Sequence, residues 1–151
     1  MRRALASLPV AAALTLAACT AEATPPSTAC FERGQVTQAL QAVPSAVWLR
    51  DGTRLSRCVE LSTSDDQLQS LGVVLTGVAD GLADDAEKGD AEASARLGYM
   101  LGAAERGAGR TQGVQLELVR RLESAARRAD AAGGQVAAAL RAGRAAGAKS
   151  G

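Results

Sequence analysis

The longest periodic signal in the chain starts at residue 64. Leu68, Leu71, Val74, Leu75, Val78, Ala79, Leu82, Ala83 and Ala86 recur at steps of three and one, which places them on one face of an amphipathic helix about five turns long. Ser64 precedes the stripe with Gln67 three residues on, the order of a capping box, and Asp65 and Asp66 put negative charge where the helix dipole favours it. Lys88-Gly89 closes this element and Asp90 opens a second, with Ala93, Leu97, Met100, Leu101 and Ala104 on one face. Gly98 and Gly102, four apart, leave a smooth strip for a neighbouring helix, and Gly107 and Gly109 end the element. A third helix is expected over residues 112–132 with Val114, Leu118, Leu122 and Ala125 inward. Beyond Gly133-Gly134 the only large apolar residues are Val136 and Leu140, so residues 133–151 read as an alanine- and glycine-rich tail that frays, or at most a fourth set of helical turns.

Upstream the pattern is shorter. Val36, Ala39, Leu40 and Val43 form one helical stripe over residues 35–43, which Pro44 ends. Two apolar-bearing arms, residues 47–50 and 53–56, flank Asp51-Gly52, a pair suited to a two-residue turn, so a short β-hairpin is expected with Trp48 facing Leu55. In that place Trp48 reads as packing rather than as a ligand contact.

The first residues carry a different pattern. Met1-Arg2-Arg3 is followed by fifteen uncharged residues, 4–18. The run is too short to span a bilayer, which takes about 20 residues, and has the form of a secretory signal segment. It ends Leu16-Ala17-Ala18-Cys19, which resembles the lipobox of bacterial lipoproteins. That resemblance implies cleavage between Ala18 and Cys19 and a diacylglyceryl group on the Cys19 sulfur, so that the partner of the chain is the lipid bilayer; an ordinary signal peptide with an incidental cysteine is the alternative. Residues 19–29 are small, polar and proline-containing, the composition of a flexible linker. Setting Cys19 aside leaves Cys30 and Cys58, an even pair, and in an exported chain they read as a structural disulfide. In the loop-entropy account that bond constrains the unfolded chain by roughly 3 to 4 kcal/mol.

Composition narrows the chemistry. The 151 residues include 34 alanines, 16 glycines, three aromatics (Phe31, Trp48, Tyr99) and no histidine. Histidine-dependent nucleophilic triads and imidazole metal sites are therefore excluded, and three aromatics make neither a base-stacking platform nor an aromatic sugar cleft. Serines such as Ser56 have no evident base partner, and no pair of carboxylates is set apart in an apolar pocket. The chain thus reads as non-enzymatic, with no cofactor and no metal. Charge is uneven along the chain. Residues 60–92 hold nine acids and one lysine, whereas residues 105–151 hold nine bases and four acids. Arg120, Arg121, Arg127, Arg128, Arg141 and Arg144 could form a basic face toward anionic lipid or polymer. Pairing between the acidic and basic halves accounts for both at once and is the reading adopted. Asp80, Asp84 and Glu87 share one helix side but lack the ligand order of a calcium loop. Nucleic-acid binding fits neither the expected destination nor the near-neutral net charge.

Ala86 to Ala93, leading to Leu97-Gly98-Tyr99-Met100, resembles the start of a Sel1-like repeat, whose members are helix pairs used as protein-binding scaffolds. The next small-residue block comes about 45 residues on, where that family's period is roughly 36, and ordinary antiparallel helix packing explains the same residues. The expectation is a mainly α protein: an antiparallel bundle of three to four helices (62–132), preceded by a signal peptide (1–18), a lipid-anchored linker (19–29) and a disulfide-closed helix and hairpin (30–61), and followed by the tail (133–151). It would sit at the extracytoplasmic face of a bacterial cell membrane as an interaction or structural module with an envelope protein partner. A lipid-tethered ligand-binding protein, with a cavity lined by Leu71, Val74, Leu97 and Leu118, and a Sel1-like scaffold are the alternatives.

Overall fold

The computed structural model describes residues 24–109 and 113–151. It is mainly helical, with six α-helices: α1 (Arg33–Ala39), α2 (Leu55–Leu61), α3 (Asp65–Glu87), α4 (Ala91–Ala108), α5 (Val114–Ala131) and α6 (Gly134–Ser150). Short 3-10 turns at Thr28–Phe31 and Leu40–Ala42 bracket α1, and a cis Val43–Pro44 bond follows the second.

α3 and α4 start where side chains supply caps, whereas α5 and α6 start at Gly113 and Gly133 with none. The Ser64 hydroxyl accepts from the Gln67 backbone N–H while the Gln67 side chain accepts from the backbone N–H of Ser64, so α3 begins with both halves of its capping box in place. At α4 the Asp90 carboxylate accepts from Glu92 and Ala93 N–H at 2.8 and 3.0 Å. Leu68, Leu71, Val74, Leu75, Val78, Ala79, Ala83 and Ala86 of the α3 stripe are buried, as are Ala93, Leu97, Met100, Leu101 and Ala104 of α4.

Helices α3 to α6 alternate in direction, so α3 and α5 run parallel, as do α4 and α6. The starts of α3 and α5 share a recess at Leu68 and Leu118, and their far ends meet through Arg128 and Asp84. α4 is the central element, touching α2, α3, α5 and α6. Its buried residues surround it: besides the apolar stripe, Ser94, Gly98, Tyr99, Gly102, Ala103, Gly107 and Ala108 are covered.

The α4–α6 contact is made by backbone. A Cβ placed on Gly98 would lie 2.1 Å from the Leu140 carbonyl oxygen, and one on Gly102 2.1 Å from that of Arg144. From the other side, a Cβ on Gly143 would lie 2.0 Å from the Ala95 carbonyl oxygen and one on Gly147 2.0 Å from that of Tyr99. Only hydrogen in place of a side chain lets two helix backbones meet in this way. The Ser94 hydroxyl donates to the Val136 carbonyl at 2.8 Å at the start of the same contact. The expectation of a fraying tail is therefore wrong. α6 has few large apolar residues because its role is close approach, and its buried face is Val136, Ala137, Leu140, Gly143 and Gly147.

Three further expectations need correction. No β-hairpin forms among the described residues. The Asp-Gly turn exists, with Gly52 N–H donating to the Leu49 carbonyl, Leu49 N–H donating to the Thr53 carbonyl, and Gly52 at φ 81°. The chain then leaves as a helix, because Leu55, Cys58 and Val59 are spaced to bury one helical face. That α2 seats directly on Gly107 of α4, where a Cβ would lie 2.4 Å from the Ser56 carbonyl oxygen. Among the described residues the helix count is six rather than three to four: α1 stands where a separate short helix was expected, α2 stands where the hairpin was expected, and α6 forms in place of the tail. Finally, Val114 is exposed, and Gln115 takes the inward position with its side-chain amide donating to the Ser62 carbonyl at 3.0 Å.

Candidate functional site

The expected bond between Cys30 and Cys58 is present, with the two Cα atoms 5.6 Å apart. It ties the turn before α1 to α2, and both cysteines are fully buried in the core that also holds Val36, Leu40, Leu55 and Val59. Cys19, the expected lipidation residue, lies outside the described residues.

At the end of the molecule where residues 24 and 25 enter, a recess of about 550 Å3 opens on the surface. Its walls come from separate elements: Thr24 and Pro25 from the incoming chain, Trp48 from the segment before the turn, Arg54 and Arg57 from the start of α2, and Arg106 from the end of α4. The hairpin expected to set Trp48 opposite Leu55 does not form among the described residues, and Trp48 is 48% exposed. The Arg54 guanidinium instead lies over its ring, 4.3 Å from the centroid, a cation–π arrangement. Arg57 pairs with Glu60 at 2.8 Å, and Arg106 donates to the Lys149 carbonyl near the end of α6. Beside the recess, Asp51 receives hydrogen bonds from the Ser27 hydroxyl and from Thr53. The Ser27 bond first, then the Thr53 backbone, hold its carboxyl below the usual aspartate value.

The other residues that drew notice in the sequence are accounted for by internal contacts. Arg128 lies among Asp80, Asp84 and Glu87, so an arginine from α5 takes the position in which a bound cation was considered. Its hydrogen bonds to Glu87 and Asp84 raise its pKa above the ordinary arginine value. Arg144 pairs with Glu105 and approaches Glu123, Arg141 pairs with Asp130, and Arg121 pairs with Glu117. These pairs take up much of the C-terminal basic face, leaving Arg120 and Arg127 exposed. The Ser56 hydroxyl donates to the Gly151 carbonyl at 2.6 Å in a buried contact.

Recesses of about 220–550 Å3 open at the surface, and among the described residues Leu71, Val74 and Leu97 line none of five of the best formed. Leu118 borders one, with Leu68, Gly72 and Val114. Among the described residues no group of three or more Cys, Asp or Glu is placed to hold a metal ion, and no helix is long and apolar enough to cross a membrane. The segment that resembles the start of a Sel1-like repeat forms the turn from α3 into α4, with Tyr99 buried beneath α6 and its hydroxyl accepting from Val47 N–H at 2.9 Å. Comparison with protein families, curated proteins and solved structures finds no match to the chain.

Proposed function

We propose that this chain is a lipoprotein of the bacterial cell envelope, held to the membrane at its extracytoplasmic face by an acyl group on Cys19, and that its helical body is a non-catalytic interaction or structural module. The observation that carries the reading is Leu16-Ala17-Ala18-Cys19 at the end of an uncharged fifteen-residue run. Three features support it. No helix among the described residues is long and apolar enough to cross a membrane, which is compatible with an acyl anchor on Cys19. The Cys30–Cys58 disulfide suits an oxidising compartment. Leu71 and Leu97 are fully buried in the described core, which suits a module that works by its exterior.

The test is metabolic labelling with a palmitate analogue, followed by membrane fractionation, for the full chain and its Cys19→Ser variant. The unaltered chain is expected to carry label and to stay with membranes. The variant is expected to lose both. Equal labelling and retention in the two would overturn the assignment.

A further inference from the structure

We infer that the face formed by Trp48, Arg54 and Arg57 docks onto anionic phospholipid headgroups of the membrane to which the chain is tethered. The inference rests on the Cys19 anchor proposed above and adds an orientation to it: one end of the helical body lies against the bilayer.

Position is the first argument. Thr24 and Pro25 line the same recess as Trp48, Arg54, Arg57 and Arg106, so the chain enters the folded body on this face. Cys19 and Thr24 are five residues apart, a separation that spans at most about 18 Å whatever its conformation. An acyl group on Cys19 therefore keeps this face within a short tether of the headgroup layer, where even weak contacts are favoured by effective concentration.

Chemistry is the second. The recess presents three arginines, Arg54, Arg57 and Arg106, against one acid, Glu60. The nearby Asp51, its carboxylate held by Ser27 and Thr53, keeps its negative charge, so with Glu60 it offsets two of the three arginines and the face retains an excess of positive charge. Guanidinium groups match phosphate oxygens in geometry and charge, and arginine remains protonated at every relevant pH. Trp48 is the chain's only tryptophan, and about half of it is exposed. Tryptophan has an apolar body and a polar N–H, the combination that settles at the boundary between headgroups and acyl chains. Arg54 stacked on that ring brings the two preferences together. Arg57 shares Glu60, and on α5 and α6 Arg121, Arg128, Arg141 and Arg144 are likewise engaged with carboxylates while Arg120 and Arg127 are exposed, so what singles out this face is the chain entry beside Arg54 and Trp48.

Trp48 is also the reporter. The full chain, purified with its anchor, is mixed with phosphatidylcholine vesicles or with vesicles containing phosphatidylglycerol, both carrying brominated acyl chains. The expected result is blue-shifted, quenched Trp48 emission on the anionic vesicles, weak quenching on the neutral ones, and loss of the difference as salt is raised. Arg54→Gln with Arg57→Gln should lower the ratio of docked to undocked protein about fivefold per arginine, with sedimentation on vesicles unchanged. Arg106 is left in place because it holds the end of α6. The salt titration on the unaltered chain gives the same readout should the variant fail to fold. Sedimentation with an unquenched Trp48, or equal quenching on both vesicle types, overturns the docking surface and leaves the anchor standing. Failure of the full chain to sediment with neutral vesicles overturns the anchor itself.

Discussion

Two pairs of parallel helices lie side by side in this protein and are joined by different means. Between α3 and α5 the contact is made by side chains. Leu71, Val74, Leu118 and Leu122 belong to the buried core, and Arg128 reaches across to Asp84 and Glu87 at the surface. Between α4 and α6 the contact is made by carbonyls against glycine Cα positions, with Gly98, Gly102, Gly143 and Gly147 leaving no room for a methyl group. A glycine in α3 has a different standing. A Cβ on Gly72 would meet nothing within 4 Å, so that position carries the conformational cost of glycine without using its small size. The same residue type thus marks an essential contact in one pair and a removable weakness in the other.

The largest expected effect follows from adding two methyl groups to the backbone contact. Gly98→Ala with Gly147→Ala should force α4 and α6 apart and cost about 4 kcal/mol, since overpacking at one site costs roughly 1–3 kcal/mol. Denaturant unfolding measures it, and a change below about 1 kcal/mol would mean that the two backbones do not meet as described. Next comes Leu71→Ala in α3, where a fully buried side chain is removed; the expected loss is about 3 kcal/mol from lost burial and the cavity left behind. Its thermal midpoint should fall clearly, yet by less than in the double glycine variant. Gly72→Ala goes the other way, with a gain of about 0.5–1 kcal/mol from reduced freedom of the unfolded chain. A loss there would show that the α3–α5 pair is also closely fitted. The smallest change is expected for Arg128→Gln, whose partners are solvent-exposed and whose effect should fade as salt is added. Because its hydrogen bonds raise the guanidinium pKa, its contribution is complete below arginine's ordinary value and is not removed in the range where the chain is handled. Salt rather than pH is therefore the variable to scan.

The same contrast explains which parts of the fold were legible beforehand. α3 announces itself twice, by Ser64 and Gln67 at its start and by a leucine and valine stripe along its length. α4 is legible for the same reasons, with Asp90 as its cap. α6 escapes a reading based on apolar periodicity because its contact surface is glycine, which registers as a helix breaker. Its own signal was the match between Gly143-x-x-x-Gly147 and Gly98-x-x-x-Gly102, visible only when the two segments are compared with each other. α2 was obscured by Asp51-Gly52, a strong turn signal that is real but is followed by helical rather than alternating burial of Leu55, Cys58 and Val59. Gln115 could not have been assigned to the interior, because its burial depends on the Ser62 carbonyl some fifty positions earlier. The cysteine pairing was legible once Cys19 was set aside, because two cysteines remain in a chain expected to be exported. The recess at Trp48 was not, since Arg106 joins Arg54 and Arg57 only through the packing of α2 on Gly107.

The glycine contact also determines how this protein can change over time. Leucine and valine positions in the α3 stripe admit one another at modest cost, so that region is free to drift while keeping its pattern. At residues 98, 102, 143 and 147 there is no smaller residue to substitute and no space for a larger one. Two chains that share this architecture could therefore differ at most apolar positions and still agree at four glycines spread over 50 residues. Kinship would be read from the places where a side chain is missing.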